Sequence, residues 1–475
     1  MVVIEKRAAL GAHLGAVRVA ACLALCAYSG WMTNEAAFAY VAPTFPPARD
    51  AAMLASAFVW ALSAAAAYYA PRLLSRRVWL AGSVAMLLGA CLAAFVGAVG
   101  VSPLLACAFC VLYSASFIFP QMMVVAGLSL LETNKHRLAC IAAALVAASL
   151  ARCLPAVSSV VGGAALHVAI FAVVVALMWR QCGAMLDKVS SGALAADLQA
   201  QSPRSFLAPM HALFSCVFLV AAISSFGSML ALDGQSASWS YAVNACVVVV
   251  AFACAFKNKA SEDALFSFVY LGLLGGLLLV PFVQTGVLPL ARAAIGACSV
   301  CFSMLYWLVI SSVGARNPFA LIPTLGIASC AESLGVAVGA VLASVALGIS
   351  DSAAMGLLSA GAAFTIAAFI WVFFKRFSFT ETVRGVEPTR EITPSTEADG
   401  GLLDQRSGRV AARCGLTDRE GEILGYLAHG RNTRYIQEKL VISPNTVRTH
   451  IKHIYQKLGV HSQQELIDVV SAEDL

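Results

Sequence analysis

The sequence predicts an all-α protein in two parts: a polytopic transmembrane helix bundle of about 12 spans arranged six and six, then a C-terminal four-helix domain around a helix-turn-helix corner. Three observations carry that prediction. Hydrophobic residues make up 60% of the 475-residue chain and charged residues only 12%, where soluble domains hold about a quarter. Basic residues gather in every second connection between apolar runs. Beyond residue 401 the apolar runs stop, and caps, short amphipathic repeats and glycine stops replace them.

A span needs about 20 mostly apolar residues. Such runs fall near residues 14–36, 51–70, 78–98, 103–125, 138–158, 160–179, 206–230, 238–256, 264–283, 288–312, 322–347 and 352–374. The fifth is the weakest, because Arg152 and Pro155 interrupt it. Connections carrying Lys6 and Arg7, Arg72 to Arg77, Lys135 and Arg137, Arg180 to Arg204, Lys257 and Lys259, Arg316, and Lys375 and Arg376 alternate with others that hold little basic beyond Arg49. By the positive-inside rule both termini are expected in the cytoplasm, with the chain passing many times through the cell membrane. No cleavable signal peptide is read, since further apolar runs follow the first.

The expected divisions are a transmembrane domain over residues 1–376, a flexible linker over 377–401 that is rich in Thr, Glu, Pro and Gly, and a C-terminal helix-turn-helix domain over 402–475 opened by a short leading helix. Fourteen of the 15 cysteines precede residue 331, mostly inside apolar runs, where they pack as small apolar residues. Cys107 with Cys110 and Cys298 with Cys301 have C-x-x-C spacing but no histidine partner, so neither a metal site nor a cofactor is expected.

In the C-terminal part, Thr417 with Glu420 forms a capping box that starts one helix, and Gly430 stops it. Asn432 caps a second helix that ends near Leu440. Ser443 and Pro444 open a third after a three-residue turn, and Gly459 closes it. Val447, Ile451, Ile454 and Leu458 recur at helical spacing, which leaves Arg448, Thr449 and Lys452 on the opposite face. Ser462 with Glu465 reads as a second capping box, opening a fourth helix that carries Leu466, Val469 and Val470.

This stretch resembles the LuxR-type helix-turn-helix family in its LT-x-RE-x-E-x-L opening from Leu416, its IS-x-x-TV-R-x-H corner from Ile442 and its KLGV end from Lys457. It departs from the family pattern at Tyr435, Gln437 and Gln463. The resemblance implies base contacts by Arg448, Thr449 and Lys452, and phosphate contacts by Arg434, Ser443 and Thr446. It also implies dimerisation through the fourth helix, at Leu466, Val469 and Val470. From Cys414 onward 7 Lys and Arg face 8 Asp and Glu, so affinity for double-stranded promoter DNA has to come from a local face and not from bulk charge.

The division of the spans at Gln181 to Ser205 resembles the architecture of the major facilitator superfamily, whose halves are repeats around a central cavity. An ionisable group inside the bilayer costs about 2.5–3.5 kcal/mol and needs a partner or a wet cavity. Glu35, Arg152, Arg292 and Glu332 are the candidates, with Asn34 and Asn244 as polar companions and Trp31, Trp60 and Trp307 as apolar walls. The expected function is a membrane-embedded one-component transcriptional regulator whose membrane domain senses a small-molecule ligand or a membrane state. The alternative is a secondary transporter with an appended DNA-binding domain. No nucleophile elbow, phosphate loop or metal cluster points to an enzyme.

Overall fold

The computed structural model describes residues 2–32, 47–97, 102–154, 160–191, 202–230, 238–257, 262–279, 288–347, 378–386 and 400–473, with a few isolated positions between them. All regular structure there is helical. The first half of the membrane part comprises α1 (Val2–Met32), α2 (Ala48–Tyr69), α3 (Arg76–Gly97), α4 (Pro103–Ser116), α5 (Ile118–Ser129), α6 (Asn134–Ala151) and α7 (Val160–Met178). A connecting helix, α8 (Gly183–Ser191), follows. The second half comprises α9 (Ala212–Leu230), α10 (Ser238–Phe256), α11 (Glu262–Leu279), α12 (Leu288–Arg316) and α13 (Pro318–Leu347). Eight helices among the described residues are long and apolar enough to cross a membrane, and two shorter apolar ones lie at 212–227 and 263–276.

Eleven of the twelve expected runs thus coincide with helices, and the run at 352–374 lies almost wholly outside the described residues. Two runs differ in detail. The fourth is broken at Phe117 into α4 and α5, because Pro120 offers no amide to the Ser116 carbonyl and its ring crowds that group. The fifth is shorter than read: Thr133 caps α6 through the His136 amide, and the helix ends at Ala151, just before Arg152.

Close approach between helices depends on small residues. A Cβ added at Gly326 would stand 2.8 Å from the Trp60 carbonyl, which brings α13 against α2 of the other half. The connection between the halves is not all loop either. In it, α8 is tied back by an ion pair of 2.9 Å between Asp187 and Arg76, whose guanidinium also lies 4.8 Å over the Trp179 ring.

The expected linker begins with structure. Helix α14 (Phe379–Gly385) is seated on the membrane part, with Phe379 fully buried against Phe266. Asp263 accepts hydrogen bonds from the Ser378 hydroxyl at 2.8 Å and the Phe379 amide at 2.7 Å, and Arg316 donates to the Val386 carbonyl at 2.8 Å. Most of residues 387–399 lie outside the described residues. The leading helix α15 (Gly400–Arg413) then joins α16 (Asp418–Ala428), α17 (Thr433–Leu440), α18 (Pro444–Leu458) and α19 (Gln463–Ser471) in a separate core of Val410, Ile423, Leu424, Ile451, Ile454 and their neighbours.

Candidate nucleic-acid interface and ligand cavity

Caps position the C-terminal head. Thr417 and Glu420 form the reciprocal box, Asn432 accepts from the Tyr435 amide, and Ser443 accepts from the Thr446 amide. The corner between α17 and α18 turns on Val441, the one described non-glycine residue with positive φ, at 53°. Gly459, at φ 68°, stops α18. Val447, Ile451 and Ile454 are fully buried, so this helix turns its other face outward.

On that face Thr449 and Lys452 are exposed and Arg448 is half-buried, its Nη1 donating to Asn445 Oδ1 at 3.2 Å. The Thr449 hydroxyl donates to the Asn445 carbonyl at 2.9 Å. Ser443 and Thr446 are exposed at the start of the same helix, their hydroxyls 2.8 Å apart. Arg434, also exposed, pairs through Nε with Glu438 at 3.0 Å. Of the six residues expected to meet DNA, five are therefore exposed and Arg448 is half-buried.

The fourth helix differs from expectation. Leu466 and Val470 are fully buried in the head's own core, because their i, i+4 stripe faces α16, and of the three expected dimer residues only Val469 is partly exposed. The second box is not reciprocal: Ser462 accepts from the Glu465 amide, but Glu465 Oε2 accepts from the His461 amide at 2.8 Å. Two of the three departures from the family pattern make specific contacts. Gln463, buried, donates to the Leu427 and Arg431 carbonyls at 2.9 and 3.1 Å, which serves the open end of α16. Tyr435 packs edge-on against Tyr426, with the Arg431 guanidinium 4.8 Å over its ring.

Lys457 carries weight that its place in the KLGV string does not announce. Its Nζ donates to Glu420 Oε2 at 2.6 Å and to the Gly415 carbonyl at 3.1 Å, tying the end of α18 to the start of α16. Glu420 is 4% exposed, and hydrogen bonding from Lys457, then from the Thr417 amide, holds its carboxyl down to about 2.

Residues 415–470 match the profile of the bacterial regulatory proteins, luxR family. The C-terminal domain is a LuxR-type helix-turn-helix. This LuxR-type head is 42% identical over 60 residues to the Fimbriae Z protein of Salmonella typhimurium, a match that covers 13% of this chain and 29% of that one. It is 45% identical over 60 residues to the Fimbriae Z protein of Escherichia coli, with the same coverage. It is 40% identical over 52 residues to the HTH-type transcriptional regulator MalT of Serratia proteamaculans, covering 11% of this chain and 6% of that one. The chain thus spans less than a third of the length of these relatives, and the similarity lies in the head. Among solved structures, the nucleoside transporter NupG aligns over 76% of this chain and 99% of its own, at 15% identity and a TM-score of 0.42.

The membrane part holds a cavity of about 560 Å³ between its halves, lined from α1, α2 and α4 to α7 on one side and from α12 and α13 on the other. Arg152 and Glu332 both line it, as do Trp31, Trp60 and Trp307. Glu35 and Asn34 lie outside the described residues, as does the Arg292 side chain, while Asn244 packs beside Gly296 away from the lining. Arg152 Nη2 donates to the Ala27 carbonyl at 2.9 Å, and its buried Nε has no partner among the described residues.

One cavity residue escaped the sequence reading. His167 on α7 is 2% exposed, its Nδ1 2.9 Å from the Ser29 hydroxyl and its Nε2 3.2 Å from that of Ser116, with the Tyr113 ring stacked 3.9 Å away. It joins three helices beside the break at Phe117. A histidine alone in an apolar run was the available signal, but only packing reveals that both of its nitrogens are engaged.

Proposed function

We propose that the chain is a membrane-embedded one-component transcriptional regulator that binds promoter DNA through the LuxR-type head in response to a small molecule held in the membrane part. The carrying observation is the presence, in one chain, of an exposed recognition face on α18 and an intramembrane cavity lined by Arg152 and Glu332. In this reading Arg448, Thr449 and Lys452 read base edges in the major groove, Arg434, Ser443 and Thr446 meet phosphates, and the head pairs through the outer face of α19 around Val469. In this reading the membrane part extends through α14 to about residue 386 and the head begins near residue 401, and the alternating basic connections support cytoplasmic termini in the cell membrane.

Coupling runs through two contacts. The seat of α14 on Asp263 and Arg316 links the tether to the ends of α11 and α12, and Arg204 lies 3.1 Å from Glu465 on the pairing helix. Ligand-driven movement of the halves would release the head to dimerise. Promoter occupancy by the full chain should change with ligand, and a fragment of residues 400–475 should have lost that response. Identical ligand dependence in the fragment overturns the sensor. The cavity between two halves also favours a second reading, a transporter with a regulatory head. Uptake into proteoliposomes separates the two, since a sensor binds without net flux.

A further inference from the structure

We infer that the cavity between the halves takes a small amphoteric aromatic molecule, with its anionic group on Arg152, its cationic group on Glu332 and its ring among the tryptophans. The inference rests on the cavity being a ligand site and adds the class of ligand.

A volume of about 560 Å³ falls within the range of small-molecule sites, roughly 300–1,000 Å³. Two charged side chains of opposite sign line it, Arg152 after α6 in the first half and Glu332 on α13 in the second. Opposite charges in a low-dielectric setting gain most by direct pairing, and a purely structural role would bring them together. They are not joined: Arg152 is tied to the Ala27 carbonyl through Nη2, and neither residue makes an ion pair with a described residue. Each is left to meet a complementary charge from something between them.

The other groups narrow the class. His167 is no competing reader of charge, because serines occupy both of its nitrogens. Trp31, Trp60 and Trp307 line the cavity, the first and last half-buried, so they offer apolar surface to a ring, and indole rings also favour a nearby cation. A small inorganic anion would use Arg152 alone and leave the carboxylate and the indoles unanswered. An aromatic cation would leave Arg152 unpaired. Only a ligand with both charges and a ring answers all three features.

The test uses the full chain in lipid nanodiscs without DNA, with binding followed by calorimetry. The probes are two aromatic zwitterions, L-tryptophan with adjacent charges and 4-aminomethylbenzoate with charges across the ring, beside indole-3-acetate, tryptamine and L-alanine. At least one aromatic zwitterion should bind at least about tenfold more tightly than the single-charge probes and L-alanine. Arg152→Gln should abolish the preference over tryptamine, Glu332→Gln the preference over indole-3-acetate, and Arg152→Lys should keep it. Retained binding of the remaining single-charge probe shows that each variant is folded. Saturable binding of none of the five, equal binding of all, or a preference that both Gln variants leave intact overturns the inference. A chain that binds the zwitterion as expected, yet whose promoter occupancy ignores it, keeps this inference and removes the sensor reading.

Discussion

The head and the bundle differ in how most of their helices use hydroxyl side chains, although Thr133 caps α6 in the bundle and Thr449 donates back to the Asn445 carbonyl in the head. In the head, helix ends face water, and Thr417, Asn432, Ser443 and Ser462 each close one by accepting an amide three residues on. In the bundle, buried serines donate to their own helix: Ser63 to the Trp60 carbonyl, Ser129 to that of Val125 and Ser311 to that of Leu308. Charge divides in the same way. The head displays Lys452 and Arg434 to solvent, whereas the bundle turns Arg152 and Glu332 onto a cavity. A polar residue marks a helix end where water is present and an interior site where it is not.

The head's own exception is the hardest test of that contrast, because Glu420 is a buried charge in the water-facing region. Glu420→Ala removes a cap and the partner of Lys457 together, and should destabilise a 400–475 fragment by roughly 2–3 kcal/mol in urea unfolding. Because the native carboxyl is held near 2 against about 4.3 unfolded, its contribution is present above the unfolded value and lost as the pH falls between them. Thermal scans from pH 5 to pH 2 should show the loss, and Glu420→Gln should flatten it.

Next come the charges beside the corner. Arg448→Ala or Lys452→Ala should cost about 1–3 kcal/mol at the cognate site and relax base preference there, while Arg434→Ala should weaken binding to all sequences alike and lower the salt slope. Fluorescence anisotropy at two salt concentrations separates the two classes. Equal weakening on every sequence by all three would leave no base-reading face.

A smaller effect sharpens the role of local geometry. Val441 holds a left-handed conformation that costs a β-branched residue about 1–2 kcal/mol, and at 88% exposure it has no packing to lose. Val441→Asn should stabilise the fragment by about 0.5–1 kcal/mol in the same urea assay. The smallest effect lies between the two regions. Arg204 and Glu465 are exposed partners whose pair contributes about 0–1 kcal/mol, so Arg204→Glu should raise ligand-free promoter occupancy by no more than about fivefold.

Much of the head was legible in sequence because its signals are short-range. A cap and its amide lie three residues apart, and apolar stripes on amphipathic helices identify the inward face, so Ser443, Gly459 and Ile451 could be placed without neighbours. The same reasoning failed on α19, where apolar Leu466 and Val470 suit a dimer seam as well as a core. In the bundle, apolar residues surround every span, and no stripe tells which side faces a neighbour. Hence the positions of most spans were readable, while the break before Pro120 and the seat of α14 were not.

The sequence by itself determined where helices start and stop in the head, where the apolar runs lie, and which few charges are carried into the membrane part, because those features depend on composition and on spacings of a few residues. Only the tertiary structure decided which distant side chains meet: Lys457 on Glu420, His167 between Ser29 and Ser116, and Arg152 with Glu332 on one cavity. Those encounters depend on how each helix is rotated against its neighbours, and that rotation is set by packing over the whole bundle.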